Sequence, residues 1–325
     1  MKKLLLAFFL LANLIFSANY TSKIVGDANG NIYIKENVNE VHPFASLTKM
    51  MTCIIAIESI EKGKINYDDF VKVPKEATLN KGSTVDLKKD QLISVRDLLY
   101  ATLVHSANDA AYTLAYYLSK GNIPNFVTTM NKKAKEIGMK STTFCTPNGL
   151  PTSMTGKGMD RGTALDMYKL SAYVAKNQKF IEIASTQHTS IMSGKTSFDN
   201  RNTLLGTVPG VIGLKTGFHD DAKYNMAVAF NKEGKLYLAV LFGGNSMKIR
   251  DSEMKRTVLD FSPKMDEEKI IYVEEPVNTY VKPKVTTNII NTTNFYIPDS
   301  TSIIDTNLSR KEYENSGFNS PIIVK

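Results

Sequence analysis

Apolar and polar residues alternate from Lys23 to Lys35 around Asp27-Ala28-Asn29-Gly30. A period of two about a turn-forming centre predicts an antiparallel hairpin. From Ser46 to about Lys62 the period lengthens, with Leu47, Met50, Met51, Ile54, Ile57 and Ile60 at helical spacing and Gly63 as a stop. Further helices are predicted over Ser94–Val104, over Asn108–Leu118 after a break at His105-Ser106, and over Thr163–Lys176, where Ala164, Met167, Leu170, Ala172 and Val174 give the apolar positions. Strand patterns return over Val211–Phe218, Tyr224–Phe230 and Lys235–Phe242, and Asn231-Lys232-Glu233-Gly234 joins the last two as a hairpin. Ser252–Phe261 reads as a closing helix, with Pro263 at a boundary. Strands from both ends of the chain with helices between them imply an α/β chain of the α+β kind, an antiparallel sheet covered by helices.

The two ends of the chain differ from this middle. Lys2-Lys3, an apolar run from Leu4 to Phe16 and the small residues Ser17 and Ala18 have the layout of a secretory signal peptide over residues 1–18. The run is shorter than the roughly 20 residues that span a bilayer. Phe16 lies where cleavage after Ala18 favours a small residue, which leaves the cleavage point open. Residues 19–262 form the expected main domain. Residues 263–325, rich in Thr, Asn, Val and Ile and broken by Pro276, Pro283, Pro298 and Pro321, read as a β-rich appendage or tail.

Composition narrows the class. Of the 325 residues, 42% are hydrophobic and 22% charged, enough for a packed core. The formal charge of +8, about +6 once Lys2 and Lys3 are removed, favours anionic surfaces or substrates. No basic run interleaved with aromatics points to nucleic acid. Cys53 lies in an apolar helical stretch and reads first as a small buried hydrophobe, with a disulfide to Cys145 in an oxidising compartment as the second reading. Two cysteines and four scattered histidines give no metal-ligand spacing, and no cofactor is implied.

Candidate chemistry begins at Ser46-Leu47-Thr48-Lys49, where a three-residue spacing brings a hydroxyl and an amine to one face of a helix. The same spacing recurs at Ser59 to Lys62 and Ser252 to Lys255, where solvated side chains explain it, so the spacing alone is weak. Ser46 differs in opening a helix after Pro43-Phe44-Ala45, where free backbone N–H groups face a developing anion. Ser106-Ala107-Asn108 lies at a break between helices and fits a cap as well as a site. Lys215-Thr216-Gly217, on a predicted strand, fits a strand end with a bulge glycine equally well.

Together and in this order, Ser-x-x-Lys, Ser-x-Asn and Lys-Thr-Gly are the signature set of penicillin-binding proteins and serine β-lactamases. The chain resembles the low-molecular-mass D-alanyl-D-alanine carboxypeptidases among them, on Ala45 to Thr52, Ser106 to Ala111, Pro147-Asn148-Gly149-Leu150, Thr163 to Met167 and Gly213 to Gly217. The resemblance implies the DD-peptidase fold and removal of the terminal D-alanine from peptidoglycan stem peptides, with β-lactams as covalent inhibitors. It also implies a place in the periplasm or cell envelope and leaves room for peripheral association with membrane or cell wall.

By the same resemblance Ser46 is the nucleophile, Lys49 its base and Ser106 the proton donor to the leaving D-alanine. Asn108 holds Lys49 and the substrate amide, Lys215 and Thr216 take the terminal carboxylate, and the strand at Gly217 and Phe218 lines the cleft. The N–H groups of Ser46 and Phe218 form the oxyanion hole. A free lysine titrates near pH 10.4, so a neutral amine near pH 7 needs about 4 kcal/mol of bias, from burial and from the like charge of Lys215.

Several positions depart from the family pattern. Asp160-Arg161-Gly162 stands where many relatives carry a histidine, while His219 and Lys223 replace a threonine and a glycine. The appendage is shorter than the relatives' β-domain and lacks their terminal membrane-binding helix. A serine β-lactamase would carry a Glu-x-x-Leu-Asn stretch, which is absent. A binding-only sensor would have no need of nucleophile and base together, and DD-endopeptidase action is left open by the residues.

Overall fold

The computed structural model describes residues 19–263, so the signal-peptide reading of residues 1–18 and the appendage reading of residues 264–325 lie outside the described residues. The chain opens with β1 (Ser22–Asp27), β2 (Ile32–Glu36) and the short β3 (Val41–Pro43), then enters α1 (Thr48–Glu61). Next come β4 (Phe70–Lys72), β5 (Leu92–Ser94), α2 (Val95–Tyr100), α3 (Asn108–Leu118), α4 (Ile123–Glu136), α5 (Thr152–Thr155), β6 (Arg161–Thr163), α6 (Ala164–Ala175) and α7 (Gln178–Ala184). A small hairpin of β7 (His188–Ile191) and β8 (Thr196–Asp199) precedes β9 (Val211–His219), β10 (Lys223–Lys232), β11 (Lys235–Gly244) and α8 (Met247–Asp260).

The main sheet has five strands in the order β2-β1-β11-β10-β9, each pair antiparallel. The hairpin of β1 and β2 therefore joins β9, β10 and β11, as expected. Strands β10 and β11 are apolar almost throughout because both of their faces are covered. On β11, Leu238, Val240 and Phe242 enter the larger core with α1 and α6, while Tyr237, Ala239 and Leu241 face Met254, Val258 and Phe261 on the α8 side. Successive side chains point to opposite faces, so a strand buried on both sides shows no polar alternation. Among the described residues no helix is long and apolar enough to cross a membrane.

Two element boundaries differ from the sequence expectation. The expected helix from Ser46 begins two residues later, and Ala45–Leu47 form a 3₁₀ turn before α1. The closing helix begins at Met247, because Ser246 Oγ accepts a hydrogen bond from the Ile249 N–H at 3.1 Å and caps it. Helix α1 is buried all round from Thr48 to Ile57, which makes it the central helix of the larger core.

The sheet reaches the start of α1 through Asn225 on β10, which is fully buried. Its Nδ2 donates to the carbonyls of Pro43 (2.8 Å) and Phe44 (3.2 Å), and its Oδ1 accepts from Gly243 N on β11 (2.9 Å). One side chain thus fastens the segment before Ser46 to two strands. Asn225→Ala leaves these backbone groups buried without partners and is expected to lower the unfolding free energy by about 3 kcal/mol in urea titration; a loss within experimental error would show that the clamp is dispensable.

Candidate active site

The residues singled out from the sequence come from three separate segments. Ser46 lies on the 3₁₀ turn, which is entered through Ala45 at φ +49°, a left-handed conformation unusual for alanine. Lys49 follows in the first turn of α1, and its Nζ is 2.8 Å from Ser46 Oγ. The same nitrogen donates to Asn108 Oδ1 at 2.7 Å and to the Asn148 carbonyl at 2.6 Å. It is 0% exposed.

Asn108 is itself oriented. Its Nδ2 donates to the Lys81 carbonyl at 2.6 Å and its backbone N to the Ser83 carbonyl at 2.7 Å, which leaves Oδ1 turned to Lys49. Ser106 stands two residues earlier, where a π-helical turn over Ala101–His105 ends and the chain passes through φ +71°. A left-handed serine costs about 1 kcal/mol, and the bonds of Ala107 N to Ala101 O and of Asn108 N to Ser83 O hold it there.

The third segment is β9, at one edge of the sheet. A Cβ added to Gly217 would lie 2.9 Å from Phe44 O and 3.1 Å from Ser46 N, so the strand runs directly beside the nucleophile turn and only glycine fits there. Thr216 and Lys215 are buried, and Lys215 Nζ donates to the Thr216 carbonyl at 3.1 Å. Phe218 is 49% exposed and stacks on Tyr224 with ring centroids 4.3 Å apart. Lys49 thus joins Ser46 to Asn108, and Gly217 brings the strand that carries Lys215, Thr216 and Phe218 against the same turn.

Burial governs the electrostatics. Removal from water lowers the Lys49 pKa to about 7, against the opposing pull of Cys53, Asp160 and Asp109. Lys215 is also held well below the ordinary lysine range, first by burial and then by the charge of Lys49. Desolvation is the leading cause for both amines, and repulsion between the two ammonium forms disfavours charging both at once. Among the described residues no carboxylate forms an ion pair with either lysine. Cys53 and Cys145 are free thiols, Cys53 fully buried.

The model of the D-alanyl-D-alanine carboxypeptidase family matches residues 17–246. The chain belongs to this family. It is 32% identical over 258 residues to the D-alanyl-D-alanine carboxypeptidase DacF of Bacillus subtilis, covering 78% of this chain and 64% of that one. With DacA of Haemophilus influenzae the identity is 34%, over 65% of this chain and 53% of the relative. The chain thus spans between about half and two thirds of these curated relatives. Penicillin-binding protein 5 from Haemophilus influenzae superposes with a TM-score of 0.67 at 32% identity, covering 73% of this chain and 69% of that one. Penicillin-binding protein D2 from Listeria monocytogenes in its ampicillin-bound form superposes with 0.66 at 29%, covering 74% and 96%.

Within the carboxypeptidase family's pattern, the departures now have locations. Lys223 adopts φ +52°, the backbone conformation that suits the glycine it replaces. His219 is buried at the end of β9, and its Nδ1 accepts from Ala222 N at 3.2 Å, which closes the turn to β10. Asp160 is buried beneath the nucleophile turn. Asn148, Asn225 and Asp160 carry no role in the sequence reading; the first acts through a backbone carbonyl, which no residue pattern announces.

The buried lysine has a consequence for stability. Lys49 releases its proton near pH 7 in the folded chain and near 10.5 in the unfolded chain, so between these values the unfolded state binds the extra proton. Stability therefore rises with pH across this window; on acidification the loss is complete by about pH 7, below which both states carry the proton. Between pH 7 and 9 the wild type should gain roughly 2 to 3 kcal/mol relative to Lys49→Met in urea unfolding. Parallel pH dependences in the two proteins would show that Lys49 is not depressed.

Proposed function

We propose that this chain is a serine-type D-Ala-D-Ala carboxypeptidase that removes the terminal D-alanine from peptidoglycan stem peptides through an acyl-enzyme on Ser46. The observation that carries the reading is the environment of the Lys49 amine. A neutral amine has two N–H donors and one lone pair. Asn108 Oδ1 and the Asn148 carbonyl accept the two donors, which directs the lone pair at Ser46 Oγ, 2.8 Å away. With a pKa near 7, a substantial share of the amine is neutral at working pH, as a general base requires.

In this mechanism Lys49 takes the Ser46 proton as Oγ attacks the penultimate D-alanine carbonyl. The N–H groups of Ser46 and Phe218 stabilise the oxyanion, a kind of donor worth about 3 kcal/mol each. The C–N bond then breaks as Ser106 gives its hydroxyl proton to the departing amine of D-alanine and takes up the proton held by Lys49, which leaves Lys49 neutral again. Water, activated by the same Lys49, later hydrolyses the ester and regenerates Ser46. Lys215 and Thr216 hold the terminal carboxylate, and a buried lysine without an acidic partner suits an anion supplied by the substrate. Gly217 lets the peptide lie against β9. Peptidoglycan lies outside the cytoplasmic membrane, so the activity belongs to the cell envelope or periplasm, with residues 1–18 as the export signal and β-lactams as covalent inhibitors.

Two measurements test this. Incubation with a stem pentapeptide should release one D-alanine, read by product mass, and labelled penicillin should attach to wild type but not to Ser46→Ala. Lys49→Arg keeps the charge but cannot release its proton, so acylation should fall by roughly three orders of magnitude or more. Loss of the penicilloyl group within seconds, with many penicillins hydrolysed per molecule, would instead indicate a β-lactamase.

A further inference from the structure

Beneath the nucleophile turn lies a carboxylate that the mechanism above does not use. Asp160 is 1% exposed, yet no lysine or arginine pairs with it among the described residues. Its Oδ1 accepts from the backbone N of Cys145 and, at 2.9 Å, from that of Thr146. Its Oδ2 accepts from the hydroxyls of Thr146 and, at 3.2 Å, of Thr48. The Asp160 carbonyl accepts from Phe44 N at 2.9 Å. Phe44 and Thr48 flank the turn that presents Ser46, so this one residue holds the nucleophile's segment at both ends.

The Thr146 hydroxyl extends the connection to Lys49. A hydroxyl has one hydrogen to donate, and here it goes to Asp160; its lone pair accepts the Gly149 N–H at 2.9 Å. That N–H belongs to the same planar peptide unit as the Asn148 carbonyl, which points the opposite way and accepts from Lys49 Nζ at 2.6 Å. Fixing the N–H therefore fixes the carbonyl. The unit cannot shift toward the turn, since a Cβ on Gly149 would already lie 1.9 Å from Ala45 O.

We infer that Asp160 is a positioning residue for the Ser46–Lys49 pair, acting through Thr146 and the Asn148–Gly149 peptide on the amine and through Phe44 and Thr48 on the hydroxyl, and that its charge helps set the pH at which Lys49 becomes a base. The inference rests on Lys49 being that base. The other titratable groups around the pair are Asp109, Cys53, Lys215 and His219 toward Lys49, and Cys145 toward Asp160. Burial raises the Asp160 pKa to about 6, so the carboxylate is ionised where Lys49 titrates, and there it favours the ammonium form.

The sign of the effect follows. Asp160→Asn keeps the shape but removes the attraction for the ammonium, so Lys49 gives up its proton more readily. The test is the second-order rate of penicillin acylation from pH 5 to 9. The wild type should show an acid limb near pH 7; in Asp160→Asn its midpoint should move down by about one pH unit and the plateau should fall at least about tenfold. Thr146→Val, which breaks the link without removing the carboxylate, should lower the plateau similarly, and Thr146→Ser should restore it. A midpoint in Asp160→Asn that matches the wild type, whatever the plateau, overturns the inference while the wild-type limb leaves Lys49 in place as base. If Asp160→Asn does not fold, equal rates for Thr146→Val and Thr146→Ser overturn it. A wild type with no acid limb would remove Lys49 as base and this role of Asp160 with it.

Discussion

The amine of Lys49 sits where a lysine is least stable, wholly excluded from water, and the surrounding structure is organised around holding it there. Lowering its pKa from 10.5 to about 7 corresponds to roughly 5 kcal/mol of bias against the charged form. A bias of that size makes a base, but it also weakens the fold, and it persists only if the cavity neither opens to water nor collapses. Each of the two carbonyl acceptors of the amine is accordingly fixed by another group. Asn108 is held by Lys81 O and Ser83 O, and the Asn148 peptide by Thr146. Neither of these two acceptors can readily turn away, which leaves the Ser46 hydroxyl as the one partner able to rotate.

The sheet supplies the rigid reference for this arrangement. Strand β10 lies between β9 and β11 and is buried on both faces, so it is among the least deformable parts of the molecule. Asn225 projects from it and grips Pro43 and Phe44, while β9, its hydrogen-bonded neighbour, brings Gly217 against Ser46 N. Nucleophile and β9 are therefore positioned from the same strand. Pairs of groups that must meet within a few tenths of an ångström are better referred to one rigid element than to two.

Much of this was legible in the sequence, for identifiable reasons. The three-residue spacing of Ser46 and Lys49, the break at Ser106 and the run at Lys215 are side-chain patterns, and side chains are what a sequence displays. The hairpin at Asp27-Ala28-Asn29-Gly30 and the strands β9 to β11 showed through turn chemistry and apolar runs. Helix α4 is absent from the predicted elements although its signal was readable: Ile123, Phe126, Val127, Met130, Ala134 and Ile137 recur at helical spacing, and Asn122 caps it with Pro124 in its first turn. Strands β3 to β6 have three residues each, too few for any period. Asp160 could be seen only as a departure from a pattern. Its role depends on a carbonyl and an N–H that every residue possesses, so it becomes visible only in three dimensions.

The two buried lysines make a final point about division of labour. Both lie in one desolvated cleft, yet only Lys49 has its donors matched by two well-placed neutral acceptors that leave its lone pair facing a hydroxyl. Lys215 makes a single bond, to the carbonyl of Thr216, and carries the repulsion from Lys49. An arriving carboxylate would relieve that repulsion and stabilise the charge on Lys215. The two charges of that pair would act on Lys49 in opposite senses and largely cancel there, leaving the neutral amine undisturbed. On the proposed reading, what separates the base from the anion receptor is therefore the set of hydrogen-bond partners, since burial and residue type are the same for both.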